Sequence, residues 1–155
     1  MSSQIKSVYT ALANMDVTID SAVVDVKKPN ELPNSINTAI LPVRLLTPIQ
    51  QFTPGILRSE GWNGALGSTV IQLNWSITDI FLYSTVAQNI GIKALADPLV
   101  DYCVAYVDAL NNTLSIPSNL MISNYQIRPD IINYPLGGAT FFYGVYVYLN
   151  LLEKM

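Results

Sequence analysis

Three groups of residues in the chain have the types that chemistry needs. Asp16, Asp20 and Asp25 fall on or near one short segment, and Asp16 and Asp20 share a face; paired carboxylates can act as acid and base. Cys103 is the one cysteine, and a thiolate is a strong nucleophile. The stretch "GWNGALGST", residues 61–69, has the glycines of a loop that cradles phosphate. Each group has a plainer reading. The chain contains no histidine, so Ser-His-Asp and Cys-His centres are impossible. Cys103 lies on an apolar helical stripe, where burial raises the thiol pKa and leaves a small hydrophobe. The glycine stretch lacks the Gly-Lys-Ser/Thr end of a phosphate loop, fits no G-x-G-x-x-G pattern and leads into no helix. Solvated acids on a sheet rim and a flexible hairpin tip account for the other two. The expectation is a non-enzymatic protein with no cofactor and no metal.

Composition points the same way. Of the 155 residues, 50% are hydrophobic and only 12% charged, against a usual charged share of about 25%. Mean hydropathy is +0.33. So few charges cannot easily cover a soluble monomer, and a membrane protein or a subunit buried against others would fit. No apolar run reaches the roughly 20 residues of a spanning helix, and the N-terminal stretch has no signal-peptide core. The expectation is therefore an oligomer, cytoplasmic or assembled, with no membrane partner. A net charge of −3 and a pI of about 4.6 argue against stable nucleic-acid binding. Nine tyrosines and two tryptophans suit subunit interfaces or a core better than base stacking, because only eight Lys and Arg are present.

The elements that position these residues can be read from periodicity. Ile5, Val8, Tyr9 and Leu12 predict an amphipathic helix over 3–13, capped by Ser2 or Ser3 and ended by Asn14. "DVTIDSAVVDVKK" predicts a strand within 16–27. "AILPVRLLTP", residues 39–48, predicts another, with Pro42 at an edge, a bulge or the strand start. Residues 49–68 read as a long flexible connection, and "TVIQLNWSITDIFLY", residues 69–83, as a strand with one polar side. "ADPLVDYCVAYVDALNNT" predicts a helix over 97–111, with Asp97 as N-cap and Pro98 in the first turn. Gly91 splits a short helical turn from the residues before it. "NLMISNYQIRP" predicts a strand ended by Pro129, "DIINYPLGG" a turn, and 139–152 a closing strand. The sum is a single α+β domain over 1–155, with a mostly antiparallel sheet and two helices packed on one face.

In this order "DVTI", "ILPVRLLTP", "TVIQLNWSITDIFLY" and "DPLVDYCVAYVDAL", framed by an N-terminal helix and two closing strands, resemble a known layout. The chain resembles the tail terminator or tail-completion (head–tail joining) proteins of long-tailed bacteriophages, and related neck proteins. The resemblance rests on element order, size and composition over nearly the whole chain. It implies a virion protein, assembled in the host cytoplasm, that forms a homo-oligomeric ring, usually a hexamer. Such a ring caps the tail tube and meets a neck or connector protein. It implies tail tube protein and connector as partners, DNA passing through the ring without being held, and neither catalysis nor cofactor. A neck or tail-tube adaptor subunit and a small-ligand binding α+β protein are the alternatives. In the ring reading, Arg58 and Trp62 of the long loop would contact a neighbouring ring.

"TFFYGVYVYLNLLEKM", residues 140–155, poses a further question, because both faces of this strand are apolar or aromatic. One face would pack under the helices. The other, with Phe142, Tyr146, Tyr148 and Leu152, would be covered by a second subunit or by the 49–68 loop, since tyrosine hydroxyls can reach a partner while the rings are buried. The alternative is a strand in mid-sheet, covered on both sides by its own chain.

Overall fold

The computed structural model describes residues 4–47, 72–86, 92–135 and 137–154. Loop 49–68, with Arg58 and Trp62, lies outside them, as do Ser2 and Ser3. The chain begins with α1 (Ile5–Asn14), which buries Val8 and Leu12 one turn apart and ends at Asn14 as expected. The segment predicted as one strand over 16–27 is instead three short ones: β1 (Thr18–Ile19), β2 (Ala22–Val23) and β3 (Asp25–Lys27). Asp20 and Ser21 both take positive φ, at 50° and 64°, and turn β1 back on β2 as an antiparallel hairpin. An Asp-Ser pair tolerates the left-handed region well enough to make that turn, and periodicity alone does not reveal it.

Two single-turn 3₁₀ helices, Pro29–Glu31 and Thr38–Ile40, occupy the polar segment that follows. Pro42 stands just before β4 (Val43–Thr47), so this strand is shorter than predicted and Pro42 falls at its start. β5 (Gln72–Thr85) is followed by α2 (Ile92–Asn112). Pro98 lies inside α2, so Asp97 is not its N-cap. The run Ile92–Ala96 contains strong helix formers, and their propensity outweighs the hydrogen bond that one early proline removes. β6 (Leu120–Asn133) likewise runs through Pro129 instead of ending there. An edge strand tolerates a proline whose missing N–H would have faced outward. β7 (Phe141–Lys154) completes the sheet.

The five-stranded sheet has the order β3-β4-β5-β7-β6. β3 pairs with β4 in parallel, and every other pair is antiparallel. The fold is α+β, a single small sheet domain with both helices on one face. That face of β7 presents Val145, Val147, Leu149 and Leu151 to Val8 and Leu12 of α1 and to Leu99, Tyr102 and Tyr106 of α2.

The opposite face of β7 answers the question posed by its sequence. Phe142, Tyr146 and Tyr148 are buried within the chain, together with Val43, Leu45, Ile80 and Leu82. Leu32, Ile36 and Leu41, from the segment between β3 and β4, pack against them, and the Tyr134 hydroxyl donates to the Pro33 carbonyl across the same layer. Cover by a second subunit, expected for these three aromatics, therefore gives way to cover by the chain itself. A strand flanked by β5 and β6 has no free edge, so both of its faces can be apolar without inviting association. Among the described residues no helix is long and apolar enough to cross a membrane.

Candidate interaction surface

The strongest polar cluster is closed to solvent. Arg44 on β4 and Asp79 on β5 lie on the helix-facing side of the sheet, and both are fully buried. Asp79 Oδ2 accepts from Arg44 Nη2 at 2.6 Å and Nε at 3.2 Å, and from the Tyr106 hydroxyl at 2.7 Å. The guanidinium also donates to the carbonyls of Met15 (2.8 Å) and Leu12 (3.1 Å), satisfying two acceptors at the C-terminal end of α1. Burial by itself would lower the Arg44 pKa. The Asp79 charge, with Tyr102 and Tyr106 behind it, reverses that, and the net shift is upward. Tyr102 stacks on Phe81 with ring centroids 3.8 Å apart. Burial, then the Asp79 charge, raises the pKa of Tyr102 and of Tyr106. An ion pair with no route to solvent orients α1 and α2 on the sheet; it offers nothing to a substrate.

A second buried acid joins distant parts of the chain. Glu153 Oε1 accepts from the Gln4 amide at 2.6 Å and Oε2 from Trp75 Nε1 at 2.9 Å. The carboxylate thus caps the start of α1, where the helix dipole favours negative charge. On the other face, the Arg128 guanidinium lies 5.7 Å and 5.9 Å from the ring centres of Tyr146 and Tyr148. Burial, then Tyr148 and Asp130, push the Tyr146 hydroxyl up to about 12, with Arg128 opposing.

These tyrosines set an alkaline limit. The hydroxyls of Tyr102, Tyr106, Tyr134 and Tyr146 all titrate above their ordinary value of about 10 when folded. The folded chain holds these protons more tightly than the unfolded chain, so stability is fully present below pH ~10 and falls as pH rises through the folded values. Thermal melts followed by circular dichroism are expected to hold steady to about pH 9 and to drop steeply by pH 12. Tyr146→Phe should shallow the last part of that drop.

The open surface lies elsewhere, between α2 and β6. A groove of about 530 Å³ is lined by Cys103, Val104, Val107, Asp108, Tyr125 and Ile127. A second hollow of about 280 Å³ continues it past Tyr125, along Leu114, Ile116 and Ile122. Large apolar side chains stand out of this region: Val104 is 65% exposed, Val100 53% and Tyr125 48%. Val100, Val104, Val107 and Asn111 follow one another at helical spacing, so α2 turns one apolar stripe into the core and a second outward. Asp101 and Asp108 are exposed on the same outer side, and among the described residues no Lys or Arg lines the groove.

β6 adds a row of backbone groups. Among the described residues it pairs only with β7, so alternate residues point their amides away from that ladder. Three observations fix which ones. The Lys154 amide donates to the Asn119 carbonyl, which puts Leu120 in the outward set; the Leu120 amide is taken by Pro117. The Ile131 amide donates to Asp130 Oδ1 at 2.8 Å, outside the ladder. Pro129 has no amide to offer. With the register shift at Ser123, the outward set is Leu120, Ile122, Tyr125, Ile127, Pro129 and Ile131.

A cleft of about 480 Å³ opens beside the β1–β2 hairpin, lined by Ile19, Val23, Val24, Pro42, Tyr83 and Ser84 among others. The Ser84 Oγ is buried there with no hydrogen-bond partner among the described residues, next to the register shift between Leu82 and Ser84 in β5. Asp20 and Asp25 lie at its rim.

The residues singled out by type are now placed. Asp16, Asp20 and Asp25 are exposed; Asp20 and Asp25 share the rim of the cleft, Asp16 is not among its lining residues, and Asp25 pairs with Lys27 at 3.1 Å. Among the described residues no three His, Cys, Asp or Glu side chains are grouped to hold a metal ion. Cys103 is half-buried on α2, and burial raises its thiol pKa. Cys103→Ala is expected to cost about 1 kcal/mol in chemical denaturation, the loss of a small half-buried side chain. Sequence reasoning missed Arg44 and Asp79. Their signal was a single charge inside each of two apolar strands, "LPVRLL" and "WSITDIFLY", which can be buried only if the two meet.

Compared with known proteins, the chain matches no family model, and no curated protein and no solved structure is similar enough to count as a match.

Proposed function

We propose that the chain is a non-catalytic structural subunit that assembles with copies of itself into a closed ring. The ring would be a hexamer at the tail end or head–tail joint of a long-tailed phage, capping the tail tube and offering a face to the connector. The observation that carries this reading is the apolar surface of α2 and β6, where Val100, Val104, Tyr125 and Ile131 stand exposed on the helix side of a chain with few charges. A contiguous apolar surface of this kind marks a site of association. The resemblance implies a small α+β subunit, which agrees with the α+β architecture, and the acidic balance of −3 suits a channel through which DNA must slide.

Electron micrographs of the concentrated protein are expected to show closed rings with a central channel. Genes for capsid, portal and tape-measure proteins beside its own would agree with this. A chain that stays monomeric at every concentration, encoded among metabolic genes, would rule the reading out. The cleft beside the β1–β2 hairpin, with the buried Ser84 hydroxyl, favours a second reading as a small-ligand binding protein. That reading requires a ligand that raises the melting temperature of the native chain and fails to do so for Val23→Trp, at an exposed position of the cleft wall.

A further inference from the structure

The cleft beside the β1–β2 hairpin differs from the α2 groove in holding an orphaned polar group. Its wall is apolar, formed by Ile19, Val23, Val24 and Pro42 with the half-buried side chain of Tyr83. Ser84 lines it as well, at 7% exposure, and its hydroxyl has no hydrogen-bond partner among the described residues. A hydroxyl buried in this way has left water without finding a replacement for it. A ligand oxygen or nitrogen brought to Ser84 would supply the missing bond. Serine moves among three staggered positions about χ1, and this one breaks no hydrogen bond to a described residue when it turns towards the cleft. At about 480 Å³ the cleft falls within the range of about 300–1,000 Å³ usual for small-molecule sites.

The charge at the mouth of the cleft has one sign. Asp20 and Asp25 are exposed at the rim, and among the described residues no Lys or Arg lines the cleft. Asp25 is taken by Lys27 at 3.1 Å, whereas Asp20 enters no ion pair among the described residues. Asp20 is also one of the two positive-φ residues of the hairpin turn, so the β1–β2 pairing fixes where its carboxylate is presented. A carboxylate at the entrance repels an anion and attracts a cation. The cleft therefore suits a molecule with an apolar body, a hydrogen-bonding atom at its inner end and a positive charge at its outer end.

We propose that the cleft binds a small organic amine. Its apolar body lies against Val23, Val24, Pro42 and Tyr83, an oxygen at its inner end bonds to the Ser84 hydroxyl, and its ammonium stays at the rim beside Asp20. Each part has its own effect. The body supplies most of the affinity, because apolar surface leaves water on both sides. Ser84 favours a molecule with a polar inner end over a plain hydrocarbon, which would leave the hydroxyl unpaired. Asp20 stands in water and adds little strength, but it decides which sign of charge the cleft accepts. This inference rests on the second reading above, in which the cleft holds a small ligand, and names the class of that ligand.

The test uses the full chain and tyramine, a phenol joined to an ammonium by a short carbon link. Phenethylamine lacks its hydroxyl and p-ethylphenol lacks its ammonium. Calorimetric titration is expected to rank tyramine above both. Asparagine tolerates left-handed backbone at least as well as aspartate, so Asp20→Asn keeps the hairpin. It should weaken tyramine about five-fold and leave p-ethylphenol unchanged. Ser84→Ala removes a hydroxyl with no partner among the described residues, so the melting temperature should not fall. It should weaken tyramine and p-ethylphenol about three- to ten-fold and leave phenethylamine unchanged. Val23→Trp, on the exposed wall, should weaken all three. If p-ethylphenol binds as tightly as tyramine and Asp20→Asn changes nothing, the proposal is overturned and the small-ligand reading stands. Tyramine binding untouched by Val23→Trp would put the probe elsewhere and overturn the proposal too. No uptake of any probe at millimolar concentration would overturn it as well, and the small-ligand reading would then be decided by its own melting-temperature test.

Discussion

Asp79→Ala is expected to cost about 3–5 kcal/mol, a large part of the stability of a domain of this size. The substitution leaves the Arg44 guanidinium fully buried, with carbonyl partners but no counter-charge. Arg44→Ala should be nearly as damaging, since it strands Asp79 and removes the donors that satisfy Leu12 and Met15 at the end of α1. The informative comparison is the double substitution Arg44→Met with Asp79→Leu. Removing both charges abolishes the penalty of an unpaired ion, and an apolar pair of similar volume can be close to neutral in a core. Here the Met15 carbonyl still loses its guanidinium donor, at about 1–3 kcal/mol, while the Leu12 carbonyl keeps the Met15 amide. The double variant should therefore lie between the native chain and either single variant. Urea denaturation of all four chains measures this directly. Additive losses would show that the two residues do not act as a pair, and the account of the core would be wrong.

Gly144→Ala is expected to be at least as severe. Gly144 lies near the start of β7, opposite Leu82 of β5 and Asp130 of β6. A Cβ built there would stand 2.0 Å from the Phe81 carbonyl oxygen and 2.8 Å from the Ile132 Cδ1. The Ile132 side chain can rotate away, but the Phe81 backbone belongs to the neighbouring strand and cannot. The sheet would have to part at its central pair, beside the existing register shift at Tyr83. Overpacking in a core costs about 1–3 kcal/mol even when side chains absorb it, so a backbone clash should exceed 3 kcal/mol. Loss of soluble protein, or a melting temperature lowered by about 10 °C or more, is the expected reading. A stable Gly144→Ala chain would mean that β5 and β7 are farther apart than described.

Much of this fold was legible in the sequence because the strongest patterns are local. Leu12 and Val8 fall at helical spacing, and Trp75 and Ile77 alternate with Ser76 and Thr78, so α1 and the first half of β5 could be placed from periodicity. The misreadings share a cause: a local signal was outvoted by tertiary context. Pro98 looks like a helix start, yet the helix formers before it extend α2 by more than a turn. Pro129 looks like a strand end, yet an outward position on an edge makes its missing amide harmless. The apolar second face of β7 looked like a surface for another subunit, because nothing in "KPNELPNSINT" announces that Leu32 and Ile36 fold back over it. The groove was beyond reach for a related reason. Val104 and Tyr125 become neighbours only when α2 lies across the helix-side face of β6, and each alone is an ordinary apolar residue in its element.

The place of β7 between β5 and β6 also sets an order of events during synthesis. The ribosome delivers both flanking strands before the strand that joins them. Until β7 appears, β5 has only the short β4 beside it, and β6 has no neighbour at all. The β6–β7 ladder then closes locally across residues 134–140, whereas the β5–β7 ladder closes over sequence separations that make loop closure costly and folding slow. For that interval two strands of 14 residues each carry unpaired backbone. A nascent chain in this state is at its most prone to aggregate, and chaperones that shield extended apolar segments would raise its yield more than any change to the finished fold.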